Sequence, residues 1–129
     1  MKIELTNEIK QLKLIAAIYR RQRKFQLAEK TYQQLLLLER REYGEFSSEV
    51  ATSIYDLAET MRRQEQHEDA RSRYEDAISI WERLNRLALL TPSDRSCYLD
   101  ACSVLQQYKA AQQPAGPPAQ SSVRGDVIS

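Results

Sequence analysis

The chain has 129 residues, with 19 Lys and Arg against 18 Asp and Glu, so its formal net charge is +1. This length suits about one domain, and a charge so close to neutral argues against a protein whose main partner is a polyanion. Only three glycines occur, and the four prolines all lie at residue 92 or later. Because Leu, Ala, Glu, Arg and Gln are abundant and apolar residues recur at spacings of three and four, we expect helix throughout the first 113 residues.

Neither a membrane span nor an export signal is predicted. No apolar stretch approaches the 18 or so residues needed to cross a bilayer, and the start, Met-Lys-Ile-Glu-Leu-Thr-Asn, lacks the apolar core of a secretory signal. Cys97 and Cys102 lie five residues apart on one predicted helix, a spacing unlike the Cys-x-x-Cys of metal and redox sites. We therefore expect a cytoplasmic protein whose cysteines are reduced packing residues.

The first two helices are predicted from their end signals. Thr6 or Asn7 is a suitable cap for a helix that spans about residues 8–21. A second helix then spans about residues 25–43 and stops at Gly44, because glycine readily takes the left-handed conformation that ends helices.

Three more helices follow, over about residues 48–64, 68–88 and 94–112. Ser47 or Ser48 is expected to cap the third helix. Pro92 suits the first turn of the fifth, with Thr91 or Ser93 as its cap. The stretch Pro-Ala-Gly-Pro-Pro-Ala-Gln-Ser-Ser then has loop composition, so we predict a helical domain over residues 1–113 and a disordered tail over 114–129.

The predicted helices repeat at an offset of 42 residues. Residues that recur at this offset include Ala16 and Ala58, Arg20-Arg21-Gln22 and Arg62-Arg63-Gln64, Ala28 and Ala70, and Tyr32 and Tyr74. A partial third copy matches the second at an offset of 44, through Tyr98, Ala101, Cys102 and Leu105. Such a period predicts helix pairs that stack on a continuous core.

The order of residues within the unit resembles the tetratricopeptide repeat over about residues 8–108. Small residues stand where the paired helices of that family cross closely, and the 42-residue spacing looks like the long variant of kinesin light chains. Two turns depart from the pattern, with Arg23 and Glu65 where glycine is frequent, and His67 where an aromatic is frequent. The resemblance implies an all-α solenoid with repeats over about 8–43 and 48–90 and a capping helix over about 94–112.

Known catalytic patterns are missing from the sequence. It contains no glycine-rich phosphate loop, no His-Glu-x-x-His, no Gly-x-Ser-x-Gly and a single histidine, His67. We therefore expect no enzyme activity, no catalytic residues, no metal site and no cofactor.

The resemblance also implies where a partner would bind. In the family the first helix of each pair lines the inner, concave surface. Carried over by position, the contacting residues are Lys10, Lys13, Ala17, Arg20 and Arg21 in the first unit, and Thr52, Tyr55, Asp56, Glu59, Arg62 and Arg63 in the second. An equally open interpretation of the paired arginines is that they stabilise the negative ends of their helices.

Charge is distributed unevenly along the chain. Residues 1–43 hold ten Lys and Arg against five Asp and Glu, whereas residues 44–113 hold eight against twelve. The leading hypothesis is an adaptor or scaffold that binds an acidic or C-terminal protein segment in a basic groove. The alternative is a structural subunit that self-associates as a homo-oligomer through its ends. Nucleic-acid binding by the basic cluster at residues 19–24 is the least favoured, because the second unit is acidic.

Overall fold

The computed structural model describes residues 2–112, which form five helices and contain no strand. The helices are α1 (Lys2–Arg21), α2 (Phe25–Tyr43), α3 (Ser48–Arg63), α4 (His67–Arg86) and α5 (Pro92–Gln112). The all-α fold class is thereby confirmed. The predicted disordered tail, residues 114–129, lies outside the described residues.

The start of α1 corrects the sequence prediction. The helix begins at Lys2 rather than after Thr6 or Asn7, so neither residue caps it. Glu4 lies in the first turn, where a negative charge is favourable, and Leu5 packs against the core. Tertiary packing of this extra turn outweighs the local preference of Thr and Asn for a cap.

The ends of the other helices follow local chemistry. The Ser47 side chain accepts a hydrogen bond from the Val50 amide at 3.2 Å, and so caps α3. At the start of α5, the Asp94 amide donates to the Thr91 hydroxyl at 3.0 Å, and the Thr91 amide donates to the Asp94 carboxylate at 3.2 Å. This reciprocal capping box starts α5 at Pro92, two residues earlier than expected.

Both turns between paired helices have the same backbone, despite their unusual residues. Arg23 and Glu65 take φ values of 62° and 61°, in the left-handed region that favours glycine. The next amides return to the preceding helix, from Lys24 to the Tyr19 carbonyl at 2.8 Å and from Gln66 to the Met61 carbonyl at 3.0 Å. The sequence correctly marked these positions as atypical, and each carries backbone strain.

Each helix packs on its neighbours in chain order, and α5 also reaches α3. The four alanines at the predicted helix crossings, Ala16, Ala28, Ala58 and Ala70, are all 0% exposed. Large side chains fill the remaining core, among them Trp81, Tyr74, Leu35, Ile54 and Leu57. Two helix pairs therefore stack on a continuous core, and α5 caps the stack in the place that the first helix of a third pair would take.

None of the helices within residues 2–112 is both long and apolar enough to cross a membrane.

Candidate partner-binding surface

The predicted contact residues lie on α1 and α3, the first helices of the two units. The two helices adjoin, because the Arg20 guanidinium of α1 lies 3.3 Å from the Asp56 carboxylate of α3. On the other edge of α3, the Tyr55 hydroxyl donates to the Asp100 carboxylate of α5. We call the surface of α1 and α3 that carries the predicted contacts the first-helix face.

Two arginines of this face brace their own units. The Arg20 guanidinium donates to the Tyr32 hydroxyl at 3.3 Å, and the Arg62 guanidinium donates to the Tyr74 hydroxyl at 3.1 Å. Because both pairs are related by the 42-residue offset, the brace is a repeated feature that joins the first helix of a unit to the second. Sequence reasoning offered these arginines as ligands or as helix-end charges, and missed this role.

Glu59 completes the brace in the second unit. Its carboxylate lies 2.9 Å from the Arg62 guanidinium and accepts a hydrogen bond from the Tyr74 hydroxyl. Burial, and then the hydrogen bond to Glu59, raises the pKa of Tyr74, so the phenol stays a donor. Burial, and then Asp100, likewise raises the pKa of Tyr55. These side chains are thus engaged by partners within the chain.

The remaining predicted contacts are available to a partner. Lys10, Lys13, Arg21 and Arg63 are exposed, and Thr52 is half-buried. Within residues 4–111, no hydrogen bond or ion pair engages the side chains of Lys10, Arg21 or Arg63. The first-helix face thus carries free cations beside the hydrogen-bonded braces of Arg20 and Arg62.

The family model for the tetratricopeptide repeat matches residues 9–83, from the first turns of α1 to the last turn of α4. The chain belongs to the tetratricopeptide repeat family. Its repeats are of the kind that generally mediates protein–protein interaction, and the family is typically not enzymatic. No curated protein gives a significant match to the chain.

The part of this tetratricopeptide repeat chain that the structure describes offers no metal site. Within the described range 2–112, no group of three or more His, Cys, Asp or Glu side chains could hold an ion. Cys97 and Cys102 are both free thiols, half-buried on α5.

Two acids with raised pKa values belong to this part of the tetratricopeptide repeat, the half-buried Asp56 on α3 and the buried Glu39 on α2. Burial raises the pKa of Asp56, and the charge of Arg20 offsets part of that rise. Glu39 of α2 is 0% exposed, and neither oxygen of its carboxyl group has a hydrogen-bond partner in the described part of the chain. Sequence reasoning missed Glu39, although it falls three and four residues after Leu36 and Leu35 on the apolar stripe of its helix.

Burial raises the pKa of Glu39, and the nearby Ser53 side chain and Lys13 charge counteract only part of the effect. The charged groups that act on Glu39 are Lys13 from α1 and Glu49 and Asp56 from α3. An acid with a raised pKa in the folded state stabilises the fold below its ordinary pKa, about 4.3, and that stability is lost as the pH rises through the raised value.

Replacing Glu39 with methionine is therefore expected to raise the free energy of unfolding by about 1–2 kcal/mol at pH 7. The gain should shrink as the pH falls, because the wild-type carboxyl group then becomes neutral. Urea unfolding followed by circular dichroism at several pH values measures both effects. Glu8→Met on the exposed surface of α1 is the control, and a loss of stability in Glu39→Met at pH 7 would contradict the argument.

Proposed function

We propose that this chain is a small adaptor or scaffold that binds an extended segment of another protein across its first-helix face. The observation that carries this proposal is the set of exposed basic side chains on two adjoining helices, Lys10, Lys13, Arg21 and Arg63. Such cations suit an acidic segment, since each offers charge-assisted hydrogen bonds to carboxylates. The concave shape of the groove follows from the family, whose first helices line the inner surface.

The finer parts of the interpretation belong to the same proposal. The Arg–Tyr braces 42 residues apart support the long, kinesin-light-chain-like type of repeat. We assign one domain to residues 1–113, with repeats over 8–43 and 48–90, a capping helix over 94–112 and a tail over 114–129. We also propose a cytoplasmic, non-enzymatic protein.

The test of this function is the selection of peptides by the purified chain. Random peptide libraries are panned on wild type, and the affinities of enriched peptides are measured by fluorescence polarisation. Replacing Lys10 and Lys13 with alanine should weaken binding at least about tenfold, since a charge-assisted hydrogen bond contributes about 1.5–3 kcal/mol.

Lys30→Ala with Lys109→Ala is the matched control, because it removes the same charge from exposed positions on α2 and α5. Its affinity should equal that of wild type. Equal affinities for all three proteins would show that peptides bind elsewhere, and circular dichroism checks that helicity is equal.

Self-association is the second candidate, and exposed apolar side chains at both ends of the stack favour it. Leu14 is 63% exposed on α1, while Leu89 and Leu99 are 60% and 59% exposed at the other end. Trp81 and Val104, which also lie on the last two helices, are buried in the core of the same chain. The mass in solution, 15.0 kDa for a monomer, separates this candidate from the first.

A further inference from the structure

A cavity rich in arginine lies where α1 ends, beside the turn to α2 and the end of α3. Its volume is about 380 Å³, and its lining consists of Ala17, Arg20, Arg21, Arg23, Phe25 and Arg63. Asp56 pairs with Arg20 at 3.3 Å, but no carboxylate pairs with the other three guanidinium groups within residues 4–111. Three cations without a carboxylate partner among these residues therefore line a space large enough for a small group.

Arg23 lies in the turn between α1 and α2, at the edge of this cavity. Its φ of 62° strains any residue other than glycine, yet the turn carries an arginine. The guanidinium lies over the Phe25 ring, 5.4 Å from its centroid, which holds it at the cavity.

The second unit lacks the same chemistry at its equivalent positions. At the offset of 42 residues, Ala17 corresponds to Glu59, Arg23 to Glu65 and Phe25 to His67. Carboxylates thus stand where the first unit has a methyl group and a guanidinium. The combination of Ala17, Arg23 and Phe25 is thus found in the first unit alone, and Arg63 of α3 completes the lining of the cavity.

Arginine forks match the oxygens of a phosphate group, and a phosphate monoester carries up to two negative charges with three acceptor oxygens. We propose that this cavity binds a phosphorylated side chain of the partner protein. The inference rests on the proposed function, and it specifies the chemistry of the bound segment.

A second cavity beside the first indicates the type of residue that would stand next to the phosphorylated one. It also measures about 380 Å³, and it shares Arg23 and Phe25 with the first. Leu27, which is 44% exposed, contributes to its lining. An apolar side chain next to the phosphorylated one would cover Leu27, so we assign a phosphorylated residue beside an apolar residue.

A nucleic acid fits the surface less well. Successive phosphates need a continuous basic track, but the matching end of the second unit carries Glu59 and Glu65. A single phosphate is therefore favoured over a chain of them.

The experiment compares peptide pools with a fixed phosphoserine, phosphothreonine or phosphotyrosine against pools with the unmodified residue. Wild type should bind enriched phosphopeptides at least about tenfold more tightly than the same peptides without phosphate. Arg23→Gly should lose this preference while its melting temperature stays equal or rises, because glycine relieves the strained turn. Arg21→Gln with Arg63→Gln should lose the preference as well.

Glu65→Gly is the matched control, since it relieves the same strain in the second unit but leaves the cavity intact. It should keep the preference for phosphate. Arg41→Gln with Arg86→Gln is the second control, because it removes two exposed last-turn arginines outside the cavity.

Three results would overturn the inference in distinguishable ways. Peptides that bind equally with and without phosphate, and depend on Lys10 and Lys13, would leave the proposed function in place and remove the phosphate site. If no peptide pool binds to the chain, both the proposed function and the phosphate site are wrong. Tighter binding of a single-stranded oligonucleotide than of any phosphopeptide, lost in Arg23→Gly, would assign the cavity to nucleic acid.

Discussion

Replacing Asp94 with alanine is expected to lower the free energy of unfolding by about 2–4 kcal/mol. Asp94 is 3% exposed, and its carboxylate accepts hydrogen bonds from three parts of the fold. The donors are the Ser48 hydroxyl at 2.6 Å, the Trp81 indole at 3.2 Å and the Thr91 amide at 3.2 Å. Alanine leaves these donors without their acceptor, at the point where α5 joins α3 and α4.

Urea unfolding of Asp94→Ala, followed by circular dichroism, measures this loss. Ser48→Ala removes only one donor and should cost about 1 kcal/mol. Asp76→Ala breaks an exposed ion pair with Arg73 and should cost less than about 1 kcal/mol. If Asp94→Ala were no less stable than Asp76→Ala, the carboxylate would not hold α5 in place.

Replacing Ala28 or Ala70 with leucine is expected to cost about 1–3 kcal/mol in each case. Both alanines are 0% exposed and occupy equivalent positions in the two units, so the added atoms would overpack equivalent helix crossings. For a domain of this size, 1 kcal/mol corresponds to roughly 4–8 °C in melting temperature.

Thermal unfolding compares these variants with Ala110→Leu, an exposed position on α5. The free energy of unfolding of this control should stay within about 0.5 kcal/mol of the wild-type value. Equal melting temperatures for all three variants would mean that the alanines do not set the distance between the paired helices.

Most of the fold was predictable because its signals are local or periodic. Gly44 ends α2 with a φ of 92°, and Ser47 caps α3, as the residue types indicate. The 42-residue offset placed the core alanines correctly. The predicted start of α1 was wrong because Leu5 packs against the core, and this tertiary contact extends the helix through its expected cap.

The candidate site was less predictable. Helical periodicity shows which side chains share a face, but not which acceptor a donor meets on another helix. Tyr55 and Asp100 are 45 residues apart, and their hydrogen bond depends on how α5 lies against α3. The Arg–Tyr braces depend in the same way on the rotation of paired helices, so the free cations could be separated from the braced ones only in the structure.

The two units are joined by different kinds of contact at the two edges of the stack, α2 against α3 and α1 against α3. Along the α2–α3 seam the units are held by buried apolar side chains such as Leu35 and Leu57. Among the described residues, one ion pair joins α1 to α3, and its side chains are 30% and 31% exposed. Such a pair is worth about 0–1 kcal/mol. The two units are therefore held together more strongly along the α2–α3 seam than between α1 and α3.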